Sequence, residues 1–156
     1  MINIKKILVA FLILMFLNSC DYAPKYALHK NLNFTIDLIE LSGDREFNNF
    51  LKSKLIRYTN DNDTNKKKYD LELKTEFNKS IKSRDSAGLA TDYELQITVN
   101  ALIKSEVVEP KKIVFEETFT MKKFDDPFEE KNYEKIIKDN FSDLILERIL
   151  FYLFKL

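Results

Sequence analysis

The sequence predicts an α+β domain built as a two-layer sandwich, with two helices packed on one face of a four-stranded, mostly antiparallel sheet in the order β-α-β-β-β-α. Three observations predict it. Four segments alternate apolar and polar residues with a period of two, and two segments space their apolar residues by three and four. The composition, 45% hydrophobic with only 2 glycines and 3 prolines, is that of a folding chain and far from disordered or collagen-like sequences. At 156 residues the chain has room for one domain with a core.

In chain order, Leu32, Phe34, Ile36 and Leu38 alternate with Asn33, Thr35 and Asp37, which predicts a half-buried strand over residues 32–40. Ser42 or Asp44 then offers a helix cap. Phe47, Phe50, Leu51, Leu55 and Tyr58 follow at helical spacing, so a helix is expected over 45–59. The polar run 60–68, rich in Asn and Asp, reads as a loop. Tyr69, Leu71, Leu73, Thr75 and Phe77 alternate with charged and polar residues to about Ile81, a second strand. Residues 82–89 contain Gly88 and read as a hairpin connection. The return strand is the clearest element, with Tyr93, Leu95, Ile97, Val99, Ala101 and Ile103 set against Glu94, Gln96, Thr98 and Asn100. Ile113, Phe115, Phe119 and Met121 mark a fourth strand. Two consecutive hairpins predict three adjacent antiparallel strands. Asp126-Pro127 suits helix initiation, and Tyr133, Ile136, Ile137, Phe141, Leu144, Ile145, Arg148 and Ile149 extend a helix from about 128 onward.

The first residues depart from this pattern. Lys5 and Lys6 precede an apolar run from Ile7 to Leu17, too short for the ~20 residues of a spanning helix and followed by Asn18, Ser19 and Cys20. Residues 1–19 are therefore expected to be an export signal, 20–31 a tether interrupted by Pro24, and 32–156 the folded domain. The segment Leu17-Asn18-Ser19-Cys20 resembles a bacterial lipobox, which implies cleavage before Cys20 and a covalent diacylglycerol and N-acyl lipid on it. Acyl chains contribute ~0.8 kcal/mol per buried methylene, so two or three anchor a protein to a membrane. A buried free thiol is the other reading of Cys20, and its place behind the apolar run argues against that. A single cysteine excludes an intramolecular disulfide.

Basic and acidic residues balance at 25 each, so no excess of positive charge points to nucleic acid as a partner. Catalytic constellations are missing. His29 is the only histidine and lies in the tether, and no cluster has metal-ligand spacing. There is no Gly-x-Ser-x-Gly elbow and no glycine-rich phosphate loop. The acidic pairs Asp125-Asp126 and Glu129-Glu130 read as charges favoured at a helix N-terminus. No catalytic residue, cofactor or metal is expected, and the chain reads as a non-enzyme.

Three features remain as binding candidates. The even-numbered residues of the second to fourth strands, among them Glu72, Lys74, Glu76, Glu94, Gln96, Thr98 and Asn100, form a polar face that is either solvated or a partner surface. Lys79, Lys82, Arg84, Lys122 and Lys123 lie near the ends of the second and fourth strands and either gather to meet an anionic group or stand scattered in solvent. The stretch ILFYLFKL, 149–156, is apolar around most of a helix circumference, so part of it either meets a partner or lipid or adds to the core.

The stretch ATDYELQITVNALI, 90–103, is similar to the signature strand of the LptE family of lipopolysaccharide-assembly lipoproteins, of the form A-E-Y-x-L-x-x-x-V-x-A. FDDP, 124–127, just before the last helix, is similar too, and DYAPKYAL after the cysteine resembles the family's short start with Asp21 in place of the usual Gly. The resemblance implies a two-helix, four-stranded sandwich in the outer membrane on its periplasmic face. It implies a plug and assembly partner of the LptD β-barrel in carrying lipopolysaccharide to the cell surface. It further implies contact with lipopolysaccharide through basic residues at one end of the sheet. Here Arg84 stands near the loop position, with Lys82 beside it. The fourth-strand position holds Thr118 or Phe119, with Lys122 and Lys123 a turn later. Asp21 keeps an inner-membrane location open, because an acidic residue after the lipidated cysteine retains lipoproteins there in enteric bacteria. The competing reading is a lipid-anchored periplasmic binding or structural lipoprotein of another envelope system.

Overall fold

The computed structural model describes residues 32–59, 66–106 and 109–156. The expected export signal and tether, with Cys20, lie outside the described residues. Strand β1 spans Phe34–Gly43, helix α1 Arg45–Leu55 with a 3-10 turn Ile56–Tyr58, β2 Lys67–Arg84, β3 Ala90–Lys104, β4 Lys111–Lys122 and α2 Pro127–Lys155. The order is the expected one. The sheet runs β1-β2-β3-β4, with β1 parallel to β2 and the other two pairs antiparallel. Three adjacent antiparallel strands follow from the two hairpin connections, and the parallel edge pair follows from the α1 crossover, which returns the chain to the end where β1 began.

Both helices pack on the odd-numbered face of β2 to β4. Leu71, Leu73, Leu95, Ile97, Val99 and Ile103 are buried there beneath Phe47, Leu51 and Leu55 of α1 and Ile137, Phe141, Ile145, Ile149 and Leu153 of α2. The buried stripe of α2 recurs every four residues, and Ile136 and Leu144, which share the apolar spacing in the sequence, stand 54% and 45% exposed. A helix lying on a single layer buries one stripe, and the stripe beside it faces water. Asp44 caps α1, its Oδ1 accepting from the Phe47 amide at 2.8 Å; Asp126 caps α2 in the same way from Phe128 at 2.8 Å, with Pro127 in the first turn.

The alternation expected for β1 breaks at its centre. Ile36 pairs with Tyr69 and Leu38 with Asp70, so Asp37 is an extra residue at a bulge. Downstream the phase is inverted: Leu38 lies on the open face, 47% exposed, while Ile39 and Leu41 pack against the core. The adjacent apolar pair Leu38-Ile39 is the sequence mark of that inversion, because a regular strand sends neighbours to opposite faces.

The strands also run longer than the apolar pattern showed. β2 has 18 residues, and its exposed last five, Ser80 to Arg84, carry no apolar alternation because neither face of that stretch is covered. The β2–β3 hairpin thus projects past the helices. Its tip is organised by Asp85, whose Oδ1 accepts from the amides of Ala87 and Leu89, and by Gly88 at φ +81°.

Candidate functional site

The direction of each strand assigns every loop to one of two ends. β1 and β2 start at one end, called the base, together with the end of β3 and the start of β4. The β2–β3 hairpin, the end of β4 and the start of α2 form the other end, the tip. At about 3.3 Å per residue β2 alone spans about 60 Å between them.

Of the five basic residues expected to gather, Lys82, Arg84, Lys122 and Lys123 lie at the tip. Lys82 crosses the open face of β3, its Nζ donating to Thr120 Oγ1 at 2.6 Å and standing 3.9 Å from a Glu94 carboxylate oxygen. Arg84 is engaged within the hairpin, Nη1 donating to the Gly88 carbonyl at 2.8 Å. Lys122 pairs in register with Asp92 on the open face. Lys123 donates its backbone N–H to the Thr91 carbonyl at 2.8 Å, and its charge is near enough to Glu130 to help hold that carboxyl down. No ion pair forms at the side chains of Lys122 or Lys123 among the described residues, so these two are the cations most available to an anion. Asp85, Asp92 and Glu94 share this end, so the tip mixes both signs of charge.

Lys79, the fifth, does not join them. It points to the helical face, where its Nζ donates to Glu130 Oε1 at 2.7 Å and Glu134 Oε2 at 3.2 Å and lies 4.4 Å from the Tyr93 ring centroid. Burial works against its charge, and the two carboxylate hydrogen bonds outweigh burial and raise its pKa above 10.5. The signal was present in the sequence: 79 is odd, like Phe77 and the rest of the core face.

Two further charged groups occupy core-face or helix-facing places that spacing alone did not flag. Lys138, 6% exposed, reaches Asp44 and Glu46 at 3.3 and 3.2 Å, its Nζ 4.1 Å from the centroid of the Phe77 ring. Glu117 stands between Phe115 and Phe119 on the core face of β4, and Arg148 of α2 meets it by charge without an aligned N–H bond to Oε1. Both tie helix to sheet or helix to helix.

Among the described residues no element covers the open face. Across its centre Asn78, Gln96 and Thr118 lie side by side, then Glu76, Thr98 and Glu116, then Lys74, Asn100 and Val114. A shallow depression of ≈ 340 Å³ lies between Glu40, Ser42, Glu72, Lys74, Asn100 and Leu102. Lys104 and Glu72 form an ion pair beside it. Such a face can form hydrogen bonds to a polar wall over a wide area.

The last stretch, ILFYLFKL, divides between core and solvent. Ile149 and Leu153 are buried, whereas Phe151 and Phe154 are 62% and 59% exposed. Among the described residues no group of three or more His, Cys, Asp or Glu side chains could hold a metal ion, and no helix is long and apolar enough to cross a membrane.

No protein-family model and no curated protein matches the sequence. The structure is similar to that of rare lipoprotein B from Shewanella oneidensis, with TM-score 0.51 and 19% identity over 72% of this chain and 93% of that one. Two other solved structures match less well. A minor lipoprotein from Acinetobacter baumannii gives TM-score 0.49 at 17% identity over 76% and 94% of the two chains. Lipoprotein B from Nitrosomonas europaea gives 0.48 at 14% over 78% and 86%. Rare lipoprotein B is the LptE family, so the likeness of fold agrees with the resemblance carried by residues 90–103 and 124–127.

Proposed function

We propose that this protein is a non-enzymatic lipoprotein of the Gram-negative envelope, anchored through Cys20 on the periplasmic face of the outer membrane, and that it plugs and helps assemble the LptD β-barrel in lipopolysaccharide transport. The observation that carries the reading is the match to rare lipoprotein B, which takes in 93% of that chain in the same two-layer fold. The open sheet face supports it physically. A barrel lumen is lined by polar side chains, and a plug must present amide, hydroxyl and mixed charged groups to it instead of an apolar surface. The row Asn78, Gln96 and Thr118 meets that requirement.

Within this reading Lys122 and Lys123, with Lys82 and Arg84 behind them, are the groups at the tip that would meet the phosphate-bearing part of lipopolysaccharide. The deciding experiment is purification of the tagged, acylated chain from membranes in mild detergent. A large β-barrel protein in stoichiometric amount is expected. A monomer without a barrel overturns the reading and leaves a lipid-anchored binding or structural lipoprotein of another envelope system.

A further inference from the structure

The exposed rings of Phe151 and Phe154 have no place in the core. Ile149 and Leu153, between and beside them on the helix, fill the core positions at 0% and 1% exposure, so no rotation of α2 can bury all four. Lys155 Nζ lies 4.1 Å from the Phe151 ring centroid, giving two aromatic rings with a cation alongside. Aromatic rings beside a lysine that can extend its ammonium into water are the composition favoured at a membrane interface.

Their position in the fold narrows the occupant. α2 begins at the tip and runs back for 29 residues, about 43 Å at 1.5 Å per residue, toward the base. Glu147 already lies close enough to Tyr58 to act on its phenol, and Tyr58 accepts from Thr35 Oγ1 at the start of β1. The last two turns of α2 therefore sit at the end where the chain enters the domain at Leu32. Residues 20–31 can hold that end at most ~40 Å from Cys20.

We propose that the last two turns of α2 insert Phe151 and Phe154 into the headgroup–acyl boundary of a phospholipid bilayer, with Lys155 at its surface. This second contact would fix the base against the membrane and direct the tip away from it. It rests on the reading of Cys20 as the acylated residue only for the high local concentration that the anchor supplies.

The chain contains no tryptophan, so Phe154→Trp is a reporter without background. The probe is the acylated full chain on vesicles of phosphatidylethanolamine and phosphatidylglycerol with brominated acyl chains. Emission from Phe154→Trp should shift to the blue and fall at least about twofold, as for a ring leaving water for lipid. Phe128→Trp, at the tip and replacing a side chain 70% exposed, should stay unquenched. Water-like emission from Phe154→Trp in chain that has floated with the vesicles overturns the proposal. So does a lipid-independent blue shift that grows with protein concentration, which assigns the rings to a second copy.

Mass spectrometry of Cys20 tests the anchor separately. In a Cys20→Ser chain at raised lipid concentration, quenching of the same reporter supports the contact whatever the state of Cys20, and its absence overturns it. In that chain Phe151→Ser with Phe154→Ser should weaken vesicle binding about tenfold while leaving the circular dichroism unchanged.

Discussion

Lys79 on β2 and Glu130 in the first turn of α2 meet at 2.7 Å on the helical face of the sheet, close to the tip. Their side chains are 27% and 16% exposed, so the pair is partly withdrawn from water. Burial favours the neutral form of Glu130, but the Lys79 hydrogen bond and the Phe124 amide outweigh it and lower its pKa below 4.5. A depressed carboxyl contributes stability that is present above the ordinary value and lost as pH falls through the folded value. The raised pKa of Lys79 contributes stability that is fully present below 10.5 and lost as pH rises through its own folded value. Urea unfolding should therefore give a plateau at neutral pH with a fall on each side. Lys79→Met should lower the plateau by about 1–3 kcal/mol and make the acid fall shallower. An unchanged acid limb would show that the pair does not couple to folding.

Gly43 ends β1 at φ +101°, and a Cβ there would lie 1.8 Å from the Thr75 carbonyl oxygen. The Asp44 amide donates to that same oxygen at 3.3 Å, and Thr75 Oγ1 donates to the Ser42 carbonyl at 3.0 Å, so the backbone has no room to withdraw. Gly43→Ala should destabilise by about 3 kcal/mol or more, read as a lower urea midpoint with an unchanged slope. Gly88→Ala has open space around it and should cost about 1 kcal/mol from its positive φ alone.

Deleting Asp37 removes the bulge residue and leaves Ile36, Leu38, Ile39 and Leu41 on the faces they now occupy. The shortened chain should fold with a stability change of about 1 kcal/mol or less, since the exposed pair of Asp37 with Lys68 at 3.9 Å contributes little. Deleting Ile39 instead sends Glu40 to the core face and should abolish cooperative unfolding. Parallel thermal melts of the two deletions distinguish a phase-setting bulge from a passive irregularity.

The Tyr69 hydroxyl is buried with no hydrogen-bond partner among the described residues, and burial raises its pKa. An unpaired buried hydroxyl is a desolvation cost without return, so Tyr69→Phe should leave stability unchanged or raise it by up to about 1 kcal/mol. A loss of more than that amount would reveal a partner for the hydroxyl.

Lys122→Ala with Lys123→Ala should weaken binding of lipopolysaccharide micelles about tenfold at low salt, with a smaller difference at high salt and no change in melting temperature. Lys82→Ala and Arg84→Ala should have smaller effects, because their head groups are already engaged by Thr120 and by the Gly88 carbonyl. Equal effects at all four positions would argue for a diffuse electrostatic attraction in place of a site.

Part of the tip was legible before any coordinates. Hairpin adjacency of the second, third and fourth strands brings Lys82 and Lys122 to one end, and even numbering puts both on the open face. Lys79 belonged to the other face by the same parity, and reading it by proximity in sequence placed it with the wrong group. Glu117 carried the same kind of signal, a charge in a core-face slot between Phe115 and Phe119, which announces an ion partner without saying which residue it is.

While the choice of Asp44 over Ser42 as the first cap came from the structure, the sequence by itself determined the type and order of the elements, the cap Asp126, and which face of β2 to β4 is buried. These follow from the pleat of a strand, the turn of a helix and the orphan amides at a helix start, which act between residues a few positions apart. Only the tertiary structure decided that β1 runs parallel to β2 at the edge, that Asp37 inverts its phase, and that Lys79, Lys138 and Arg148 find carboxylates on other elements. Apolar periodicity states that a surface will be covered. What covers it, and where a charge on it finds its counter-charge, depends on surfaces distant in sequence that meet only when the two layers close.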